Sequence, residues 1–471
     1  MMASLLQAQF FLIFMNPSSL KLFVAFALTV VAGMAQALPP LDLYSAWQQG
    51  FGFDANYKAA VSRFNSSLEQ EKISRGGLLP QVNAGYSRSR IHGWRKQPGY
   101  FSQIQRSDLR YDSTNIYAQL NQPLLNYPRY AEYRRGQAVA RFGTAQFGVD
   151  KQQISLRIAQ AYFATVLAID DQQTQEQRVN FLAHRVKGFE QLLKYADATQ
   201  LDLVETQARL DTAQADLLKA QDEVRVSVRQ LQSHIGLAPQ ALYGLSDTWV
   251  YQALAQDLST LLEQALVNNK DIQTAKQRVA MYQARLDSAR SQYFPTVDLG
   301  LSVGKADSED LSTLSQRSNT FAIGININIP IFTGGYTYAA TSQARYQMQA
   351  AQHRYDATVA AVKAEVQKQY GLYTNGKQHV AALKTAMESS ELSLASAEKS
   401  FTVGAASNLD VLDAQDQLAQ TRHDYYVSRL ELLLAQLRLH AALGDDLHQT
   451  VQEQSQQQFQ GAVLHVINGI I

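Results

Sequence analysis

The 471-residue sequence predicts an α+β membrane protein built from two copies of one unit, each holding two strands and very long helices. Three observations carry this expectation. The chain repeats itself at an offset near 208 residues, short segments alternate apolar with polar residues, and the helical stretches are too long for a globular core.

The repeat orders everything else. "LLPQVNAGYS" at 78–87 returns as "YFPTVDLGLS" at 293–302. Tyr162 matches Tyr370, Gly236 matches Gly444, and "TQLDLVETQ" (199–207) matches "SNLDVLDAQ" (407–415), each 208 residues apart. Pro80 and Pro295 are 215 apart, whereas Pro123 and Pro330 are 207 apart, so the first copy carries eight extra residues, expected in a loop. The expected layout is a signal peptide at 1–37, a first repeat at 38–250, a second at 251–446 and a Gln-rich tail at 447–471. The tail receives no structural assignment.

From Met15 the sequence reads "MNPSSLKLFVAFALTVVAGMAQA": Lys21, an apolar run, then Ala35-Gln36-Ala37. That is the pattern of a secretory signal with an A-x-A cleavage site, so the protein is expected to be exported. No later stretch is apolar over about 20 residues, the length a spanning helix needs.

Within each repeat a helical stretch ends near proline and two strands follow. They are expected at about 81–92 and 113–122, then at 296–304 and 319–330. In "FAIGININIP", Phe321, Ile323, Ile325, Ile327 and Ile329 share one face, with Ala322, Gly324, Asn326 and Asn328 on the other. One uniformly apolar face fits a soluble sandwich or a transmembrane strand. The signal segment favours the second.

From Pro128 to Tyr195 nothing interrupts the helical pattern, and about 68 residues at 1.5 Å each reach roughly 100 Å. Narrow apolar stripes are expected to form coiled-coil seams. Ile158, Ala161, Tyr162, Val166 and Ile169 make one; Val359, Val362, Val366, Tyr370 and Tyr373 make its counterpart. A second helix follows each break, around tips at about 196–202 and 403–410, and closes at Gly236 or Gly444.

Several chemistries are excluded. A formal charge of +1 argues against a nucleic-acid partner, and the lack of cysteine removes disulfides, thiolate metal sites and lipid attached through cysteine. Gly300-x-Ser302-x-Gly304 matches the nucleophile elbow in letters only, because its serine lies in an alternating strand. No zinc-protease, phosphate-loop or dinucleotide motif is present, so neither catalysis nor a cofactor is expected.

The carboxylates at the tips have a plainer reading. Ser407-x-x-Asp410 and Thr199-x-x-Asp202 are capping boxes, in which hydroxyl and carboxylate satisfy orphan amides at a helix start. Asp413 and Glu205 lie one turn further along. In a symmetric assembly these four acids would form rings of negative charge, which favour cations.

These features resemble the TolC-like outer-membrane factors of Gram-negative exporters. The likeness covers about residues 40–445 and includes "LLPQV", "FPTVDL", "IPIFTGG", "FTVGAASNLDVLDAQ" and "LHAALG". It implies a homotrimer whose four strands per chain close a 12-stranded transmembrane β-barrel in outer-membrane lipid. That barrel would continue into a long α-helical coiled-coil tunnel across the periplasm, with Asp410, Asp413, Asp202 and Glu205 around its mouth. A periplasmic adaptor (membrane fusion) protein and an inner-membrane transporter, ABC type or proton-driven, would dock there. The segment "RIHGWRKQPGYFSQIQR" would enlarge the outer loop. Family members use an aromatic hydroxyl and an arginine to lock the mouth; Phe401 and Ala406 stand at those positions here and can make neither hydrogen bond. Closure must then rest on apolar contact and other pairs, or leak. The function implied is a passive export duct, for type I protein secretion or for small-molecule efflux. Without a lipid-bearing cysteine, secretion is favoured. A non-pore periplasmic scaffold is the remaining alternative, and the apolar-faced strands argue against it.

Overall fold

The computed structural model describes residues 39–98, 104–195, 199–246, 251, 254, 256–310 and 316–466. The expected signal peptide and residues 196–198 of the first tip lie outside them. The first repeat contains α1 (Leu43–Phe53), α2 (Ala55–Gly76), β1 (Gln81–Pro98), β2 (Ile104–Asn126), α3 (Tyr127–Lys194), α4 (Gln200–Ile235) and β3 (Ala241–Tyr243). The second contains α5 (Leu258–Asn268), α6 (Lys270–Ser291), β4 (Thr296–Asp310), β5 (Gln316–Asn328), α7 (Tyr336–Thr402), α8 (Asn408–Leu443), α9 (Leu447–Gln458) and β6 (Val463–His465). Helix lengths repeat closely: 11 and 11 residues for α1 and α5, 22 and 22 for α2 and α6, 68 and 67 for α3 and α7, 36 and 36 for α4 and α8.

Local chemistry sets the boundaries. Asn126 Oδ1 accepts from the Arg129 amide at 3.1 Å and Pro128 occupies the first turn, so α3 starts capped and pre-bent. The first two helices of each repeat part at a buried cap. Asp54 accepts from the Tyr57 amide at 2.9 Å and Asn269 from the Ile272 amide at 2.9 Å. Each cap also ties its helix pair to the partner long helix: Asp54 meets His234 Nδ1 at 2.9 Å, and Asn269 donates to the Ala442 carbonyl at 2.8 Å. Both α4 and α8 end at a left-handed glycine, Gly236 (φ 82°) and Gly444 (φ 87°), a conformation that costs other residues strain.

The four long strands form one antiparallel sheet in the order β1-β2-β4-β5. The strands outrun the expected limits, reaching Pro98, starting at Ile104, and extending to Asp310 and from Gln316. The eight extra residues therefore lengthen the β1–β2 ladder instead of a loop, which corrects the sequence reading. Alternation disappears from the pattern above Ile91, where both faces are mostly polar, while the backbone ladder continues to Pro98↔Ile104. At the other end β5 stops at Asn328 and not at 330, because its partner β4 begins only at Thr296, after Pro295, and leaves Ile329 no strand residue to pair with.

The core holds one further correction and one part that the sequence left unassigned. The Gln-rich tail is built into it. Its α9 and β6 wrap the middle of the long helices, with Phe459 stacked on Phe163 at 5.2 Å and edge-on to Tyr162 at 5.3 Å. Strand β6 pairs with β3 through Leu242↔Leu464. The stripe Ile158–Ile169 accordingly packs on α1, β3 and α9 as well as on long helices, and forms a local core rather than a plain coiled-coil seam. Glutamine frequency hid a second periodicity, since Leu447, Val451 and Phe459 are buried while most of the tail's other residues are polar.

Candidate functional site

Cross-strand neighbours share a face, so the register separates the sheet into two surfaces. Rows Val82–Leu120–Leu301–Ile323 and Ala84–Ala118–Val303–Phe321 lie on one. Its edge residues are open: Val82 is 69%, Phe321 72% and Ile325 62% exposed. The opposite face carries Asn83, Gln119, Ser302 and Ala322 in one row and Ser87, Asn115, Ala306 and Ser318 in another. From Phe321 to Ile329 the apolar band runs nine residues, about 30 Å along the strand and roughly 22 Å when tilted. Below it stand exposed Tyr293, Phe332, Tyr336 and Tyr338, amphipathic or apolar rings suited to a membrane–water boundary. Among the described residues no helix is long and apolar enough to cross a membrane.

Far from the sheet, the two helical hairpins α3–α4 and α7–α8 meet at their tips. Gly404 (φ 74°) turns the chain out of α7, and the Ala405 amide closes back on the Ser400 carbonyl at 2.8 Å. Ser407 Oγ then accepts from the Asp410 amide at 3.2 Å, while Asp410 accepts from the Ser407 amide at 2.8 Å. Thr199 and Asp202 exchange the same pair at 3.1 and 3.2 Å. The hydrogen bonds from Ser407 hold the Asp410 carboxyl below its usual pKa, so it is ionised at neutral pH.

Between the tips lies an arrangement that motif reading missed. Asn408, 2% exposed, sits on α8 but sends its side chain into the first hairpin. Its Nδ2 donates to Thr206 Oγ1 at 2.9 Å, and its Oδ1 accepts from Arg185 Nη2 at 2.7 Å. The Arg185 guanidinium lies over Phe401 at 4.8 Å, Phe189 at 5.5 Å and Phe181 at 5.8 Å. Burial pushes the Arg185 pKa down, against the pull of Glu398 and Asp202, yet a guanidinium stays charged. Phe401, which has no hydroxyl to offer, is thus part of an aromatic cage around a cation.

Further along, Arg209 bonds Asp413 at 2.8 Å and also Asp416, and Arg178 bridges Asp216 at 3.1 Å and Asp416 at 2.7 Å. Burial opposes ionisation of Arg209, but Asp413 and Asp416 hold its pKa above the ordinary value. Asp413 is therefore charge-paired, unlike Asp410. Glu205 is half-exposed on the same helix as Asp202. The signal that would have found this network is where the repeats differ. At the 208 offset, Arg178, Arg185 and Arg209 match Ala386, Ser393 and Gln417, while Asp416 matches Ala208. The two hairpins are similar in shape, and the positions where they differ pair arginines of the first with carboxylates of the second. Among the described residues no group of acids and histidines could hold a metal.

The site is thus a sheet with one apolar and one polar face, set on long paired helices. The pattern of the outer membrane efflux protein family matches residues 55–237 and 261–445, and the chain belongs to that family. It is thus an outer-membrane channel protein with a large periplasmic part, in a family of channels and not enzymes. It is similar to the alkaline protease secretion protein AprF of Pseudomonas aeruginosa, 26% identical over 86% of this chain and 85% of that one. It is also similar to the proteases secretion protein PrtF of Dickeya chrysanthemi, 26% identical over 88% and 90% of the two chains. In fold it matches the CmeC outer membrane channel of Campylobacter jejuni, with a TM-score of 0.75 at 16% identity, covering 88% of this chain and 89% of that one.

Proposed function

We propose that this chain is the passive outer-membrane duct of a type I protein secretion system. The carrying observation is the sheet with one apolar and one small, polar face, continuous with helices of some 100 Å. Its edges β1 and β5 are unpaired among the described residues, and four strands cannot close a barrel. Three copies, joined β5 to β1, make twelve strands with the apolar face in lipid and the Asn, Ser, Gln and Gly face around water. The helices continue as a periplasmic tunnel that ends at the tips. There Asp410, Asp413, Asp202 and Glu205 form the acidic mouth, and Arg185, Asn408 and Phe401 hold it shut until an adaptor and an inner-membrane transporter engage. Energy comes from the transporter.

Secretion is preferred to small-molecule efflux on the names of AprF and PrtF. The test is complementation in a Gram-negative cell that lacks its own outer-membrane factor but retains the transporter and adaptor of a protease exporter. Secreted protease with unchanged drug susceptibility is expected. Restored drug resistance without secretion would reverse the preference.

A further inference from the structure

The lipid-facing surface does not end at the apolar band. The next rows up on that face read Tyr86–Ile116–Lys305–Asn319 and then Arg88–Thr114–Asp307–Arg317. Arg90 lies beside Asp112 in the row above, and the β1–β2 ribbon then continues alone with His92, Arg110, Trp94, Lys96 and Arg106 on the same face, where Asp108 pairs with Arg106 at 3.9 Å. Basic side chains outnumber acidic ones among those described here. They are placed where hydrocarbon would give way to headgroups, since the apolar rows below already fill about the 25 Å that a barrel's lipid band needs.

This belt has shape as well as charge. Arg88, Asp112, Thr114, Ile116, Lys305 and Asp307 line a cleft of about 200 Å³ that opens outward from the sheet. Asp112 is engaged by Arg88 at 3.3 Å and Arg90 at 2.8 Å, and Asp307 by Arg317 at 2.9 Å. Lys305 has no carboxylate within ion-pair reach among the described residues. The carboxylates thus fix the arginines in place without cancelling the lysine. Above the cleft, Trp94 is held between Lys96 at 5.3 Å and Arg106 at 5.0 Å, which turns an amphipathic ring and two cations toward the same layer.

We propose that this cleft and ribbon bind the phosphate-bearing headgroup of an outer-leaflet glycolipid. Arg88 and Lys305 contact the phosphate, Thr114 donates its hydroxyl, and Trp94 with Lys96 and Arg106 rests on the sugar and phosphate layer above. Arginine and lysine recognise phosphate through charge-assisted hydrogen bonds, and the apolar rows beneath seat the acyl chains. The occupant is a lipid because the cleft is continuous with the apolar band. The inference rests on the barrel reading given above.

The experiment is native mass spectrometry of the full chain in mild detergent, titrated with bisphosphorylated lipid A and with the same lipid dephosphorylated. The expected result is tight retention of the first and at least tenfold weaker retention of the second. An R88Q/K305Q variant should lose the preference while keeping its oligomeric mass, and millimolar inorganic phosphate should not compete. Equal retention of both lipids, or an unchanged preference in the variant, would overturn the proposal. Should the barrel reading itself fail, the chain would leave membranes without detergent, an outcome distinct from indiscriminate lipid binding by an inserted protein.

Discussion

Replacing Arg185 with Met removes one of the cations that join the two hairpins while keeping an apolar chain inside the Phe181, Phe189 and Phe401 cage. The native contact combines a hydrogen bond from a charged group at 2.7 Å with a ring stack at 4.8 Å. A charged hydrogen bond contributes about 1.5–3 kcal/mol and a cation–π contact about 0.5–2 kcal/mol, partly offset by the methionine. A loss of about 2–4 kcal/mol in coupling between hairpins is expected, which is roughly 30- to 700-fold in the closed-to-open ratio. Single-channel recording in planar bilayers reads that ratio as a higher mean conductance or open occupancy. Arg185→Lys keeps charge without the fork and should fall between. Combining Arg185→Met with Asn408→Ala should cost less than the sum of the two, because both remove one bond. Wild-type conductance in R185M, with an unchanged oligomeric mass, would refute the latch.

The other expectations concern charge, the tail and the sheet. Asp410→Asn with Asp202→Asn should lower cation selectivity, measured as reversal potential in a salt gradient, more than Asp413→Asn does, since Arg209 already neutralises Asp413. Burial pushes the Asp170 carboxyl up to about 6, with Asp171 adding to the rise and Arg422, His423 and Arg429 opposing it. Its folded pKa exceeds the unfolded one, so the contribution of this one group is greatest below about pH 4 and is lost as pH rises through about 6. Asp170→Asn should therefore remove that slope and stabilise the chain at neutral pH by at most about 3 kcal/mol, read by thermal melts at pH 4 and 7.5. Phe459→Ala should cost about 3–5 kcal/mol, seen as a lower melting temperature, because the ring is 1% exposed against Tyr162 and Phe163. Ile325→Lys on the apolar face should abolish membrane assembly, whereas Asn326→Lys one residue on should assemble and change ion selectivity.

Much of this architecture is legible in the chain because duplication states it twice. Alternation fixed which strand face is apolar, and capping chemistry at Thr199 and Ser407 located the tips. The strand ends were not legible beyond Ile91, since a solvated two-stranded ribbon needs no apolar period. Nor was the tail, where a few buried residues such as Val451 and Phe459 are spaced among glutamines. The latch was hidden for a different reason. Arg185, Asn408 and Phe401 are distant in sequence and belong to no motif, and each is unremarkable alone. Aligning the repeats for what differs, and not for what agrees, exposes the three arginines of the first hairpin that the second lacks and the Asp416 that faces two of them.

In the function proposed above, three chains share one barrel and tunnel. Its most direct test is the native mass of the protein extracted from outer membranes in mild detergent. A mass of three chains that collapses to one on denaturation is the expected result. A monomer or dimer that stays in solution without detergent would contradict it.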